Sequence, residues 1–458
     1  MDSSFLLVFG VYLLIFLYVA IRDTKKVEDF KDYAVAGKRQ GSFAVTMTLL
    51  ATALGASTTI GITDTVDQIG FPGVWWLLFG AVGLIFQSFI LSEKVRKIDA
   101  DTLPDMAGRL VGKPAELLLA LIIVISWIGV IAGQFVALSS VITYVIGRNS
   151  KTISVIVSVI VILYTVLGGQ LSVIKTDRIQ FFIIVIGVLI TLFYLYYIKG
   201  GNTSEVVNNI ELLNSNYRPI NLFTQFFVIG GVYFLGPDIM SRNFLAKDEK
   251  AAKKSALFAG ILLAVFSVVI TMIGMWVRFN VSSEELGDNK ALLYVVSTMP
   301  RAFSAALILG LISAILSSTD TCIINASTIF VKDILKKDSV KLIRITVAFL
   351  GGISLVLAIS GRGDIMSLLT GAYSIYTPGI IFPLFIAIMV NDSKRIRMKI
   401  WLTAVVIGGL FGIAGTYFGN VVVKLGVPEG FISYLPLTGM FISLAVALIS
   451  VKRNEKSE

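Results

Sequence analysis

The chain has 458 residues, 56% hydrophobic and only 15% charged, with a mean hydropathy of +0.86; a soluble domain of this length needs far more polar surface. No histidine and a single cysteine leave no imidazole metal site, no histidine-activated nucleophile and no intramolecular disulfide, and no GxxxxGK[ST] phosphate loop occurs. The net charge of +10 sits in short loops between apolar blocks, so it reads as membrane topology rather than nucleic-acid binding.

The apolar blocks are continuous rather than alternating and long enough for about 20 helical residues each, which predicts membrane-spanning helices. In chain order they fall near 3–22, 42–69, 73–92, 115–147, 152–173, 178–198, 220–241, 254–277, 302–331, 342–360, 364–390, 398–418 and 430–451, thirteen in all. The first lacks a basic leader and a small-residue cleavage site and runs into Arg22, Lys25 and Lys26, so it is expected to be a retained span. Of the 39 basic residues, 30 lie in alternate loops and the C-terminal tail and 9 on the opposite side. The positive-inside rule then places the N-terminus outside and the C-terminus inside the cell membrane. Residues 1–458 read as one membrane domain.

Span 2 contains Ala51-Thr-Ala-Leu-Gly-Ala-Ser-Thr-Thr-Ile-Gly61, whose small and hydroxylated residues suit a helix break with free carbonyls. Asp64 and Asp67 follow at its outer end, lining a vestibule or simply solvated. Trp75 in span 3 and Tyr373 and Tyr376 in span 11 are candidate gate or pocket aromatics, or belt and core packing. Gln134 in span 4 faces a cavity or bridges helices. Asp177 opens span 6, as a functional carboxylate or a surface partner of Lys175 or Arg178. Span 7 carries Gly230-Gly231 and Gly236-Pro237, five spans after the first break, the separation expected of an inverted repeat. Arg242 ends that span, as an anchor or an internal gate.

Span 9 reads Ser313-Ala-Ile-Leu-Ser-Ser-Thr-Asp-Thr-Cys322. Ala314, Ser317, Ser318 and Thr321 share one helix face, an oxygen-bearing stripe suited to a hard cation such as sodium, or to gluing helices together. Asp320 lies near the bilayer centre, where an unpartnered carboxylate costs several kcal/mol. Cys322 reads as a packing residue.

Ala314-Ile-Leu-Ser-Ser318, Gly168-Gly169 through Thr176-Asp177-Arg178-Ile179-Gln180, and Gly236-Pro237-Asp-Ile-Met-Ser-Arg242, in this order on these spans, resemble the sodium:solute symporter family. The resemblance implies an all-α, leucine-transporter-type fold: a 5+5 inverted repeat (42–198 and 220–390) with one extra N-terminal helix (3–22) and two C-terminal ones (398–451). It implies a sodium site formed by the carbonyls of Ala51, Leu54 and Ala314 with the hydroxyls of Ser317 and Ser318. A second cation site would use Asp177, Asp320 and Thr321, with Asp320 departing from the family's hydroxyl. The expected partners are sodium, a small organic solute and the lipid bilayer, without nucleic acid or organic cofactor. A solute with a carboxylate, such as an amino acid or a monocarboxylate, fits the half-helix N-terminus at Gly55, Ala56, Ser57 and Thr58, and Trp75, Gln134, Gly236, Asp238, Tyr373 and Tyr376 complete the expected pocket. A proton-coupled carrier using Asp320 or Asp177 is the alternative.

Overall fold

The structure, a computed structural model, describes residues 3–24, 27–146, 151–287 and 289–452. Lys25, Lys26, Arg148, Arg453 and Lys456, counted in the charge asymmetry, and Gly147, the expected end of span 4, lie outside the described residues.

The described residues are mostly helical, and among them the only β-type pairings are isolated bridges. In order, the long helices are α1 (Ser3–Thr24), α2 (Ser42–Ala53), α3 (Ser57–Ile69), α4 (Phe71–Ile98), α5 (Lys113–Ile146), α6 (Thr152–Lys199), α7 (Pro219–Leu245), α8 (Glu249–Asn280), α9 (Arg301–Ile334), α10 (Val340–Ile359), α11 (Ile365–Val390), α12 (Met398–Tyr417) and α13 (Glu429–Ile449). Among the described residues ten are long and apolar enough to cross a membrane, or eleven with α2 and α3 counted as one bent span.

One expected boundary is wrong. Residues 174–178 are not a loop: the expected spans 152–173 and 178–198 lie within the single 48-residue α6. As a straight rod α6 would be about 72 Å long, more than twice the hydrocarbon thickness. It is interrupted instead at Gly169, where φ is +63°, a conformation glycine adopts without a Cβ penalty. Side-chain bonds show what the interruption does. Thr165 bonds Asp320, while Arg242 joins Asp177 to Thr321. A straight helix would hold Thr165 and Asp177 about 18 Å apart, yet they reach neighbouring residues of α9, so the chain turns back between them.

The most hydrophobic stretch of α9 is 72% buried, against 33% for α12 and 39% for α13. The hydroxyl-rich helix is therefore the central one and the last two are peripheral. Small residues permit close helix approach where lipid supplies no hydrophobic drive: Gly408 and Gly412 of α12 lie against the carbonyls of Pro378 and Ser374 in α11.

Both expected breaks are present. α2 stops at Ala53, and α3 leaves at 59° to it. The carbonyls stranded at the break take side-chain donors: Thr58 Oγ1 donates to Ala53 C=O (2.9 Å) and Gly55 C=O (3.0 Å), and Thr59 Oγ1 to Gly55 C=O (2.9 Å). In α7, Gly236 is extended, with φ −72° and ψ 150°. Pro237 then occupies the first turn of the next segment, where its missing N–H costs nothing. The stranded carbonyl of Leu235 accepts the Tyr376 hydroxyl at 2.6 Å.

Candidate functional site

Hydroxyls of α9 face the break after α2. Ser317 Oγ donates to Ala51 C=O at 2.7 Å and lies 3.2 Å from Ala314 C=O. Ser318 Oγ donates to Thr52 C=O at 2.9 Å. Leu54 closes α2 with its N–H on Leu50 C=O and sits beside them at the break. Both serines are buried and point at the break, not at lipid. Gly55 makes the approach possible, because a Cβ there would meet Ser318 Oγ and Cβ. The result is a buried cluster of neutral oxygens, the donor chemistry a hard monovalent cation prefers, and a hydroxyl that donates to a carbonyl can rotate so that both oxygens face an ion.

Asp177, Asp320 and Thr321 are all fully buried but do not form one group. Asp320 turns to α6, where Tyr164 Oη and Thr165 Oγ1 each donate to it at 2.6 Å. Asp177 accepts the Thr48 hydroxyl and is paired at 3.3 Å with Arg242, not with Lys175 or Arg178. Lys175 pairs with Asp23 at 2.5 Å. Arg242 is neither a surface anchor nor at a rim. It is fully buried and donates to Thr321, to Thr52 Oγ1 (2.9 Å) and to Gln170 Oε1 (3.0 Å). Its guanidinium thus stands between Asp177 and Thr321. Among the described residues Asp177 Oδ1 has no hydrogen-bond partner.

Beside the serine pair lies a small cavity of about 40 Å³. Of the expected solute residues, Gly55, Ser57, Gln134, Gly236, Asp238 and Tyr373 line it. Gln134 Oε1 accepts the Ala56 N–H at 3.2 Å, holding the first amide of the α3 half-helix. Four expected residues lie off the wall. Thr58 is spent on the break itself, Ala56 offers only its backbone, and Tyr376 braces Leu235 from behind Trp127, ring centroids 5.3 Å apart. Trp75 is remote: its Nε1 donates to Leu212 C=O at 2.8 Å and its ring stacks on Phe79. Asp64 is not free in solvent either, since it pairs with Lys290 at 3.0 Å and accepts the Ala291 N–H at 2.7 Å.

Sequence reasoning missed Trp127, Tyr233 and the role of Cys322 on the same wall, and Asn325 behind Asp238. Gln170, Arg242 and Asn325 carried a usable signal, being strong polar groups inside apolar helices. Trp127 and Tyr233 carried none, because aromatics are ordinary in such segments.

Comparison with known proteins bears on the family and the fold. The model for the sodium:solute symporter family matches residues 33–408. The sodium/pantothenate symporter of Haemophilus influenzae is 25% identical over 339 residues, covering 70% of this chain and 68% of that protein. Among solved structures, a substrate-bound, outward-open Na+-coupled sialic acid symporter superposes with a TM-score of 0.80 at 18% identity, covering 98% of this chain and 97% of that one. MhsT in complex with L-phenylalanine gives 0.57 at 12% identity, over 90% of this chain and 98% of that one.

Proposed function

The chain belongs to the sodium:solute symporter family, and on that premise we propose that it drives a small organic solute across the cell membrane with sodium, by alternating access. The observation that carries this reading is the contact of Ser317 and Ser318 with the carbonyls of Ala51 and Thr52 at the helix break. Sodium is taken by Ala51, Leu54, Ala314, Ser317 and Ser318. It replaces the hydroxyl-to-carbonyl bonds with ion–oxygen contacts and fixes the geometry of the break. The break also forms the cavity wall, so ordering it favours the solute, which is coupling through the differential affinity of two states.

Gly55, Ser57, Gln134, Gly236, Asp238 and Tyr373 contact the solute. A carboxylate on it faces the half-helix amides at Ala56 and Ser57, where the helix dipole favours negative charge, after displacing Gln134. A second cation site at Asp177 and Thr321 draws support from the unpartnered Asp177 oxygen, and a cation there has to displace the Arg242 guanidinium that stands between them. Asp320, held by Tyr164 and Thr165, joins it only by turning; a proton on Asp320 or Asp177 is the rival coupling ion.

The architecture proposed is thirteen crossings, N-terminus outside and C-terminus inside. The count takes α1 as a span, α2 with α3 as one, and α6 as two divided at Gly169. The breaks at 54–56 and at Gly236 fall at matching places of two five-helix halves.

The deciding experiment is solute uptake into proteoliposomes with sodium or potassium outside. Ser317→Ala with Ser318→Ala is expected to abolish sodium dependence. Unaltered sodium-driven uptake in the double variant, or uptake that follows a pH gradient and ignores sodium, removes the reading.

A further inference from the structure

We infer that the solute carries a cationic amine, and that Asp238 is the group that selects it. The inference rests on the transport reading above and narrows its solute class. Asp238 lies on the cavity wall in the first turn after the α7 break. The groups that bond it are neutral: Trp127 Nε1 at 2.6 Å and Cys322 Sγ at 3.2 Å on Oδ2, and Asn325 Nδ2 at 2.9 Å on Oδ1. A carboxylate oxygen accepts two donors, and Oδ1 has taken one.

Among the described residues no cation bonds it. Arg242 lies one turn further along the same helix and is the one fully buried basic side chain among the described residues, but its bonds go to Asp177, Thr321, Thr52 and Gln170. The buried centre therefore holds three carboxylates, Asp177, Asp238 and Asp320, against one guanidinium. A buried charge without a partner is costly, so such a group either holds a proton or gains a counter-charge, and here an incoming ligand can supply the counter-charge.

The surrounding wall suits the same ligand. Trp127, Tyr233 and Tyr373 line the cavity with Asp238, and the Trp127 and Tyr373 rings stand 6.4 Å apart at 46°. Aromatic faces around a carboxylate are the chemistry that recognises an ammonium group. Among the described residues lining the cavity there is no lysine or arginine. An anionic solute without an amine would have the half-helix amides and the sodium at Ser317 and Ser318 to offset its charge, but nothing to pair with Asp238 itself. A zwitterion satisfies both ends, its carboxylate at Ala56 and Ser57 and its ammonium on Asp238. The cavity, about 40 Å³, is too small for such a solute as it stands, so its wall opens on binding.

The test is thermal stabilisation of the purified full chain, in sodium and in potassium, by matched probes. One set is L-proline, pyrrolidine and cyclopentanecarboxylate; another is L-valine, isobutylamine and isovalerate; pantothenate and sialic acid are added. At least one amine-bearing probe is expected to stabilise the protein in sodium while its deaminated counterpart does not. Asp238→Asn is expected to weaken that probe at least about tenfold, the loss of a charge-assisted hydrogen bond, while stabilisation by sodium alone persists and shows the variant folded. A deaminated acid that binds as well as its amine partner, an Asp238→Asn protein that binds equally well, or failure of every amine-bearing probe overturns the inference. The wild-type comparison decides even where the variant does not fold. Should amines bind without regard to sodium or potassium, the sodium-symport reading fails and the role of Asp238 stands.

Discussion

Arg242 and Asp177 show how much rests on single side chains here. Each is buried, and Arg242 is the guanidinium that joins α2, α6, α7 and α9. Removing one member of such a pair leaves an uncompensated charge, at about 3–5 kcal/mol. Arg242→Gln is therefore expected to lower the melting temperature sharply. Adding Asp177→Asn to it should recover part of the loss, because the stranded carboxylate is gone. Thermal unfolding of the single and double variants in detergent checks both, and equal losses in the two would mean that the charge pairing is not what matters.

At the scale of helices, the interruptions decide the behaviour. Gly55→Ala puts a methyl group against Ser318 and should push the hydroxyls away from the carbonyls of α2. The expected outcome is at least about a tenfold weaker sodium response in a thermal titration, with solute binding in sodium weakened in parallel. Gly10→Ala, where no atom lies within 4 Å of the added carbon, serves as the neutral comparison. Gly169→Ala forces an L-residue to φ +63° with the Tyr33 ring 2.8 Å from its Cβ. Backbone strain alone costs roughly 1–2 kcal/mol. Circular-dichroism melts should show that loss with helix content unchanged. A Gly169→Ala protein as stable as wild type would mean that the turn does not need a left-handed residue.

For the whole molecule, the ion pairs among the described residues are spread unequally over the two ends of the bundle. One end is laced by Lys38 with Asp99 (2.7 Å) and Asp101 (2.9 Å), by Lys332 with Asp101 and with Asp105 (3.2 Å), and by Arg109 with Asp105 (3.0 Å). The other end has Asp64 with Lys290. Burial pushes the Asp101 carboxyl up, but hydrogen bonds from Lys332 and Lys38 outweigh it and hold the group below the usual carboxylate range. A depressed pKa contributes stability above the ordinary carboxylate value, lost as pH falls through the depressed one. The laced end should thus be indifferent to pH near neutrality and loosen only in acid. Cys322, the single cysteine, lines the central cavity and reports on opening. Asp101→Asn is expected to speed maleimide labelling of Cys322 several-fold, and the bound solute to slow it. An unchanged rate in Asp101→Asn would show that this lacework does not limit access.

The sequence by itself determined what depends on neighbours along one helix. Apolar length marks the membrane helices, small and proline residues mark the interruptions near Gly55 and Gly236, and a three-to-four residue spacing puts Ala314, Ser317 and Ser318 on one face. These are local rules, and the local pattern contains them whole. Only the tertiary structure decided which distant groups meet. That Asp177 pairs with Arg242 rather than Lys175, that Asp320 turns to Tyr164 and Thr165, and that Trp127 joins Asp238 on the cavity wall all follow from how α5, α6, α7 and α9 pack. The turn at Gly169 stands between the two cases, because the glycine pair is visible while its left-handed backbone is not. A carboxylate in an apolar helix announces that it needs a partner; the partner's identity is set by packing between residues far apart in the chain, which no periodicity along the chain records.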